Sequence, residues 1–217
     1  EEVAALWAGV AANGSEPLAD PLTLLRFHNA RKGHQQSLEM HQNAVAWRSS
    51  VGLRSIMEVH GEGEEYAEDG CKTSAADSWK WRRRPTRSVS KLVARHVSFA
   101  RMPVCSPDGE PVLVWRFKAD DFELFKQQKL KDHLINSYIA HIEDTLQTLR
   151  AMSIRAGRLI RARFVIDVKD CGLGSVRYLP SLREATRIGQ LYFPDVTASV
   201  TVVRAPPVVG FVYSLVK

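Results

Sequence analysis

No apolar run in this chain approaches the roughly 20 residues that a membrane-spanning helix requires. Cysteine is scarce. Cys71, Cys105 and Cys171 are the three in 217 residues. Odd in number and far apart, they fit neither a disulfide framework nor a zinc ribbon, and they point to a reducing, intracellular compartment. The chain opens on Glu1 and Glu2 with no basic segment and apolar stretch behind them, which excludes a secretory signal here. It also lacks an initiating methionine, so it is expected to begin inside a longer protein. Internal repeats and low-complexity tracts are absent. His34, His41, His60 and His96 form no metal set, because His34 and His41 are too far apart for two ligands on one helical turn. The glycines of Cys171-Gly172-Leu173-Gly174-Ser175 follow a strand but lack the spacing and the Gly-Lys-Ser ending of a phosphate loop. Cys171 has no obvious histidine partner and makes a poor candidate nucleophile. Neither a metal nor a cofactor is called for.

What is present is an ordinary globular balance, 45% hydrophobic and 25% charged. A chain of this length buries a sizeable core without staples. The net charge is +6 and unevenly spread. Glu58, Glu62, Glu64, Glu65, Glu68 and Asp69 form an acidic cluster. Lys72, Lys80, Arg82, Arg83, Arg84, Arg87, Lys91, Arg95 and Arg101 then follow against Asp77 alone. Such a surplus implies an anionic partner, phospholipid headgroups or nucleic acid. Trp79, Trp81, Arg82, Arg83 and Arg84 suit a membrane interface, where Trp sits at headgroup level and Arg meets anionic lipid. They suit single-stranded nucleic acid too, and a disordered basic insertion is the bland alternative.

Hydrophobic spacing supplies the elements. Ala4 to Ala12 reads as a short helix closed by Asn13-Gly14. Asp20-Pro21 starts a helix with a capping side chain and proline at the first position, carrying Leu22, Leu24, Leu25 and Phe27 as far as Gly33. A second helix runs through Leu38, Met40, His41, Ala44, Val45 and Trp47 and ends at Gly52. Residues 1–57 are thus expected to form a small all-helical module. Residues 58–104 read as a charged excursion or linker, with a helix over Ser88–Phe99. Pro107-Asp108-Gly109 signals a turn before a strand at Val112–Trp115. A helical stretch with Phe122, Leu124 and Phe125 leads into a long helix through Leu130, Leu134, Tyr138, Ile142, Leu146 and Leu149. A strand at Phe164–Val168, a helix from Pro180 to Tyr192, a strand at Val200–Val203 and a helical end over Val208–Val216 complete the pattern. Strands alternating with helices predict an α/β domain over 105–217, a mostly parallel sheet covered by helices.

Four segments, in order, resemble one family. Leu24-Leu25-Arg26-Phe27, Ala30-Arg31-Lys32 and Trp47-Arg48 resemble the N-terminal helical module of CRAL-TRIO lipid-binding proteins, the phosphatidylinositol-transfer family. Asp108-Gly109-Glu110-Pro111-Val112 is similar to the turn that opens the lipid domain's first strand. Ile166-Asp167-Val168-Lys169-Asp170 is similar to a later strand with its turn. Arg183-Glu184-Ala185, Tyr192-Phe193-Pro194-Asp195 and Ala205-Pro206-Pro207 match the family's helix, its aromatic-Pro-acid corner and its strand ending in Ala-Pro. On this resemblance the lipid domain stops short of its C-terminal end at Lys217.

The resemblance implies a pocket for one phospholipid over the central sheet, exchanged or presented at a membrane with no bond made or broken, so no enzyme is expected. It places the phosphoinositide-binding arginine at Arg31 and the acid of the corner at Asp195. Val114, Phe164, Ile166 and Val202 are expected to contact acyl chains. The basic residue that can follow the corner acid is Val196 here. The Ser and Thr that can hold a phosphatidylcholine headgroup fall on Ala162 and Phe164, which leaves a tocopherol- or retinoid-like ligand as an alternative. A cytoplasmic, monomeric protein with peripheral membrane association follows from the same likeness. Two rivals come from other classes. One is a nucleic-acid-binding module built on residues 79–101. The other is an α/β enzyme acting on a phosphorylated substrate at the glycine turn, with Asp167 and Asp170 as its titratable groups.

Overall fold

The computed structural model describes residues 20–31, 33–60, 97–118, 131–172 and 179–206. The stretch expected to be helical over Ala4–Ala12, the one around Phe122–Phe125 and the C-terminal Val208–Val216 lie outside them, as does the basic segment around Trp79–Arg84.

Helix α1 spans Pro21–Ala30. Asp20 caps it as its sequence leads one to expect, its Oδ1 accepting from the amides of Leu22 and Thr23 at 3.2 Å each. Such a cap is worth about 1 kcal/mol. Leu24 and Phe27, on one face of α1, are fully buried against Met40 and Ala44 of α2 (His34–Ser50). This small cluster is the core of the helical module. After a two-residue break at Val51-Gly52 the chain forms a third helix, α3 (Leu53–His60), which the sequence reading left unassigned. Ile56 and His60, one turn apart, bury its inner face, and His60 Nδ1 shares a hydrogen bond with Ser137 Oγ at 3.0 Å.

The sheet has four strands in the order β1-β2-β3-β4. Strand β1 (Val97–Cys105) is antiparallel to β2 (Pro111–Lys118). Strands β3 (Ala162–Asp170) and β4 (Thr197–Val203) continue in parallel. The helix expected over Ser88–Phe99 is therefore corrected from Val97 onward: Val97, Phe99 and Ala100 are sheet residues, and the boundary drawn at residue 105 passes along the first strand. The alternation that marks a half-buried strand is broken here by Ala100, which is buried next to buried Phe99, so the segment hides its period. The Asp108-Gly109 turn joins β1 to β2. Gly109 takes φ +75°, a left-handed conformation that favours glycine, and Ser106 N–H donates to Glu110 O at 2.8 Å.

Two helices complete the fold, α4 (Lys131–Ala156) and α5 (Leu179–Tyr192). Side chains alternate along a strand, and residues paired across neighbouring parallel strands share a face. One face of the sheet carries Val97, Phe99, Leu113, Trp115 and Phe164, which pack against Leu134, Tyr138, Ile142 and Leu149 of α4 in a single core. Each such burial contributes about 1.5–3 kcal/mol. The aromatic residues meet edge to face, with Trp115 at 5.0 Å from Phe164 and 5.6 Å from Tyr138. The second face carries Val112, Val114, Val165 and Val203, none of which belongs to that core. No described helix covers it.

Cys105 ends β1 in a disulfide. The expectation that the three cysteines form no bridge is corrected at Cys105, whose partner lies outside the described residues. Sequence spacing says nothing about which sulfurs meet in space. The argument from unpaired cysteines to a reducing compartment falls with it.

Candidate functional site

The residues carried over from the family converge at the N-terminal edge of the parallel strands. Arg26 is 2% exposed and reaches from α1 into this edge. Its Nη1 donates to Asp195 O at 2.6 Å and its Nη2 to Ile160 O at 2.7 Å. Burial brings its pKa down to about 10, partly offset by the nearby Asp195 carboxylate, so it remains a cation at neutral pH. The sequence reading saw Arg26 only as part of a motif, and it ties α1 to the edge of the sheet.

Asp195 sits where the corner after Pro194 turns into β4, at φ 53°, a conformation Asp tolerates better than most residues. Its carboxylate is engaged. Arg161 grips it as a fork, Nε at 2.5 Å from Oδ1 and Nη2 at 3.1 Å from Oδ2. Asn29 Nδ2 adds a third bond at 3.1 Å to Oδ2. The fork in turn holds the Arg161 guanidinium above its usual pKa. Asp195 thus builds the edge, and Arg161, which sequence reasoning missed, is its principal partner.

Arg31 closes α1 two residues beyond Asn29. Its extended backbone ends the helix, and its Nη1 donates to Ala30 O at 2.9 Å. The rest of the guanidinium faces a groove of about 610 Å³ between α2 and the end of α5, lined also by Gln36, Glu39, Asn43, Trp47 and Tyr192. Trp47 and Tyr192 lie stacked at 4.2 Å and form part of its wall. Asn29, two residues before Arg31, touches Asp195, which puts Arg31 and Asp195 at the same end of the molecule.

The four apolar residues expected to floor one pocket are divided between the faces. Phe164, Ile166 and Val202 share the helix-covered side. There Phe164 fills the core at 3% exposed, while Val202 lies beyond the helices on edge strand β4 at 40% exposed. Val114 stands on the second face beside Val165 and Thr201. Along this row Ala100 is buried, Val114 and Val165 are half-buried, and Thr201 is exposed. Trp79, Trp81, Arg82, Arg83 and Arg84 lie outside the described residues.

Asp167 and Asp170, which the phosphate-enzyme rival requires as titrating groups, are both in ion pairs, with Arg204 and Arg116 respectively. Among the described residues no three His, Cys, Asp or Glu side chains stand close enough to hold a metal ion, and no helix is long and apolar enough to cross a membrane.

No family model matches the chain. Among curated proteins it is 27% identical over 211 residues to the SEC14 cytosolic factor of Yarrowia lipolytica, covering 94% of this chain and 37% of that protein. It is 27% identical over 202 residues to the Sec14 cytosolic factor of Schizosaccharomyces pombe, covering 91% of this chain and 62% of the relative. Against the SEC14 cytosolic factor of Kluyveromyces lactis it is 24% identical over 200 residues, 89% of this chain and 57% of that one. The chain therefore spans less than two thirds of the length of each of these relatives. Motifs in order, a mostly parallel sheet under helices and alignments along nine tenths of the chain together make it similar to the Sec14 cytosolic factors.

Proposed function

We propose that this chain binds one phospholipid, phosphatidylinositol, and exchanges or presents it at a membrane surface. The observation that carries the reading is the second sheet face, where Val112, Val114, Val165 and Val203 stand outside the core with no described helix upon them. A lipid leaving a bilayer needs an apolar replacement worth about 0.8 kcal/mol per methylene, and a valine-lined sheet face is a surface of that kind. Arg31 supplies donors to the headgroup phosphate, since a guanidinium fork matches phosphate oxygens. Asp195 serves by holding Arg161 and the corner in place. Ile166 and Val202 lie on the opposite face of the sheet and form no part of that surface. The basic segment with Trp79, Trp81, Arg82, Arg83 and Arg84 is assigned to the anionic membrane surface.

The test is native extraction. The chain is produced in cells, purified without detergent, and its bound lipids are identified by mass spectrometry, beside Arg31→Ala. One phosphoinositide per protein, lost or replaced by a neutral lipid in the variant, is the expected result. A tocopherol- or retinoid-like molecule would move the ligand class and keep the pocket. A protein free of any hydrophobic ligand would overturn the proposal.

A further inference from the structure

The C-terminal ends of the strands hold a second polar cluster, at the opposite edge from Arg31 and Asp195. Arg116 on β2 and Asp167 on β3 lie in register, one step along the second face from the row of Val114 and Val165. Asp167 is 5% exposed and fully served, because Arg204 grips both of its oxygens and the Lys169 amide donates at 3.2 Å. Arg116 is less well served. Its Nη2 donates to Asp170 Oδ2 at 3.0 Å, but its Nε is buried without a hydrogen-bond acceptor, 3.7 Å from Asp167 Oδ2. A guanidinium presents Nε and Nη as one edge suited to two oxygens. Asp170 meets that edge with a single bond, and Nε, in a side chain 38% exposed, has the Asp167 carboxylate as an ion-pair partner beyond hydrogen-bond reach, an incomplete pairing.

We propose that Arg116 anchors the anionic group of a single-chain amphiphile lying along Val114 and Val165, and that Asp170 holds this anchor as an internal stand-in. A carboxylate or a phosphate monoester offers the pair of oxygens that Nε and Nη2 require, and its tail runs onto the adjoining valines. The place accords with the general rule that open α/β sheets take ligands beyond the carboxyl ends of their strands. The inference rests on the second face being the lipid-facing one and goes beyond it by naming a second polar end, distinct from Arg31, and its ligand chemistry.

The experiment titrates the full chain with cis-parinarate, with its methyl ester, and with a fluorescent lysophosphatidate, following fluorescence. The wild type is expected to favour the acid over the ester by about tenfold, the scale of one charge-assisted hydrogen bond in a partly buried site. Arg116→Gln brings that ratio close to unity, with circular dichroism confirming the fold. Asp170→Asn raises affinity for the acid severalfold, a gain that damage to the fold does not produce. Tighter binding of parinarate or of lysophosphatidate assigns the anchor to a carboxylate or to a phosphate, and either supports it. Equal affinities for acid and ester, or a preference that survives Arg116→Gln, overturn the anchor alone. A wild type that binds no probe overturns the lipid reading and the anchor together.

Discussion

Asp167 and Asp195 are both acids beside arginines, and at this scale the partner decides the role. Burial by itself would push the Asp167 carboxyl up. The hydrogen bonds from Arg204 and from the Lys169 amide outweigh it, with Arg116 adding to them, and hold the group below its ordinary value. An acid depressed in the folded state contributes stability that is present above its unfolded pKa and is lost as pH falls through the folded one. The chain is therefore expected to lose stability on acidification below about pH 4, and Asp167→Asn should flatten that part of the curve while lowering the plateau at neutral pH. Urea midpoints measured at a series of pH values check this. A variant with an unchanged acid limb would show that Asp167 plays no part in it. Neither the pairing of Asp167 nor the grip of Arg161 on Asp195 was legible in the sequence, since Arg161 and Asp195 are 34 positions apart and meet only when β3 and β4 lie side by side.

Between elements, α5 approaches α4 closely at Gly189. A Cβ placed on Gly189 would stand 2.6 Å from the Tyr138 hydroxyl, and the next ring atom is 3.9 Å away. Tyr138 is packed within the main core, and its burial drives its hydroxyl pKa upward. Gly189→Ala gains about 1 kcal/mol of helix propensity and is still expected to destabilise the protein by about 1–2 kcal/mol through overpacking. Tyr138→Phe removes the offending oxygen, so the double variant should recover most of the loss in a thermal-melt cycle. Additive losses would place the strain elsewhere. The sequence marked α5 correctly from Pro180 to Tyr192 but gave no reason for a glycine inside it, because the reason is a side chain on another helix. Strand β1 escaped notice for a related cause: its neighbours Phe99 and Ala100 are buried on opposite faces, so its alternation is lost.

For the whole molecule, the helical module and the sheet layer are joined by a buried ion pair. Arg48 of α2 and Glu143 of α4 meet at 2.5 Å, 8% and 9% exposed, with the guanidinium 4.9 Å above the Phe193 ring. Gln147 completes the carboxylate at 2.9 Å. Removing one partner strands a buried charge, so Arg48→Ala or Glu143→Ala should cost about 3–5 kcal/mol, whereas Arg48→Met with Glu143→Leu should be near neutral. Denaturant titrations read by circular dichroism decide it, and a double variant as weak as the singles would mean that the pair contributes net stability. The sequence by itself determined α1 with its Asp20 cap, α2, α4 and α5, the turn at Asp108-Gly109 and the alternation that makes an α/β sheet. Those follow from local backbone chemistry and from periods of two and 3.6 residues. It also carried the resemblance to the Sec14-like relatives, through motifs kept in order. Only the tertiary structure decided which face of the sheet the helices take, and so that Val114 parts from Phe164. It alone decided that Asp195 is spent on Arg161 while the Arg116 Nε is left without a hydrogen-bond acceptor. Pairing across 34 to 169 positions depends on how whole elements pack, and no local pattern encodes it.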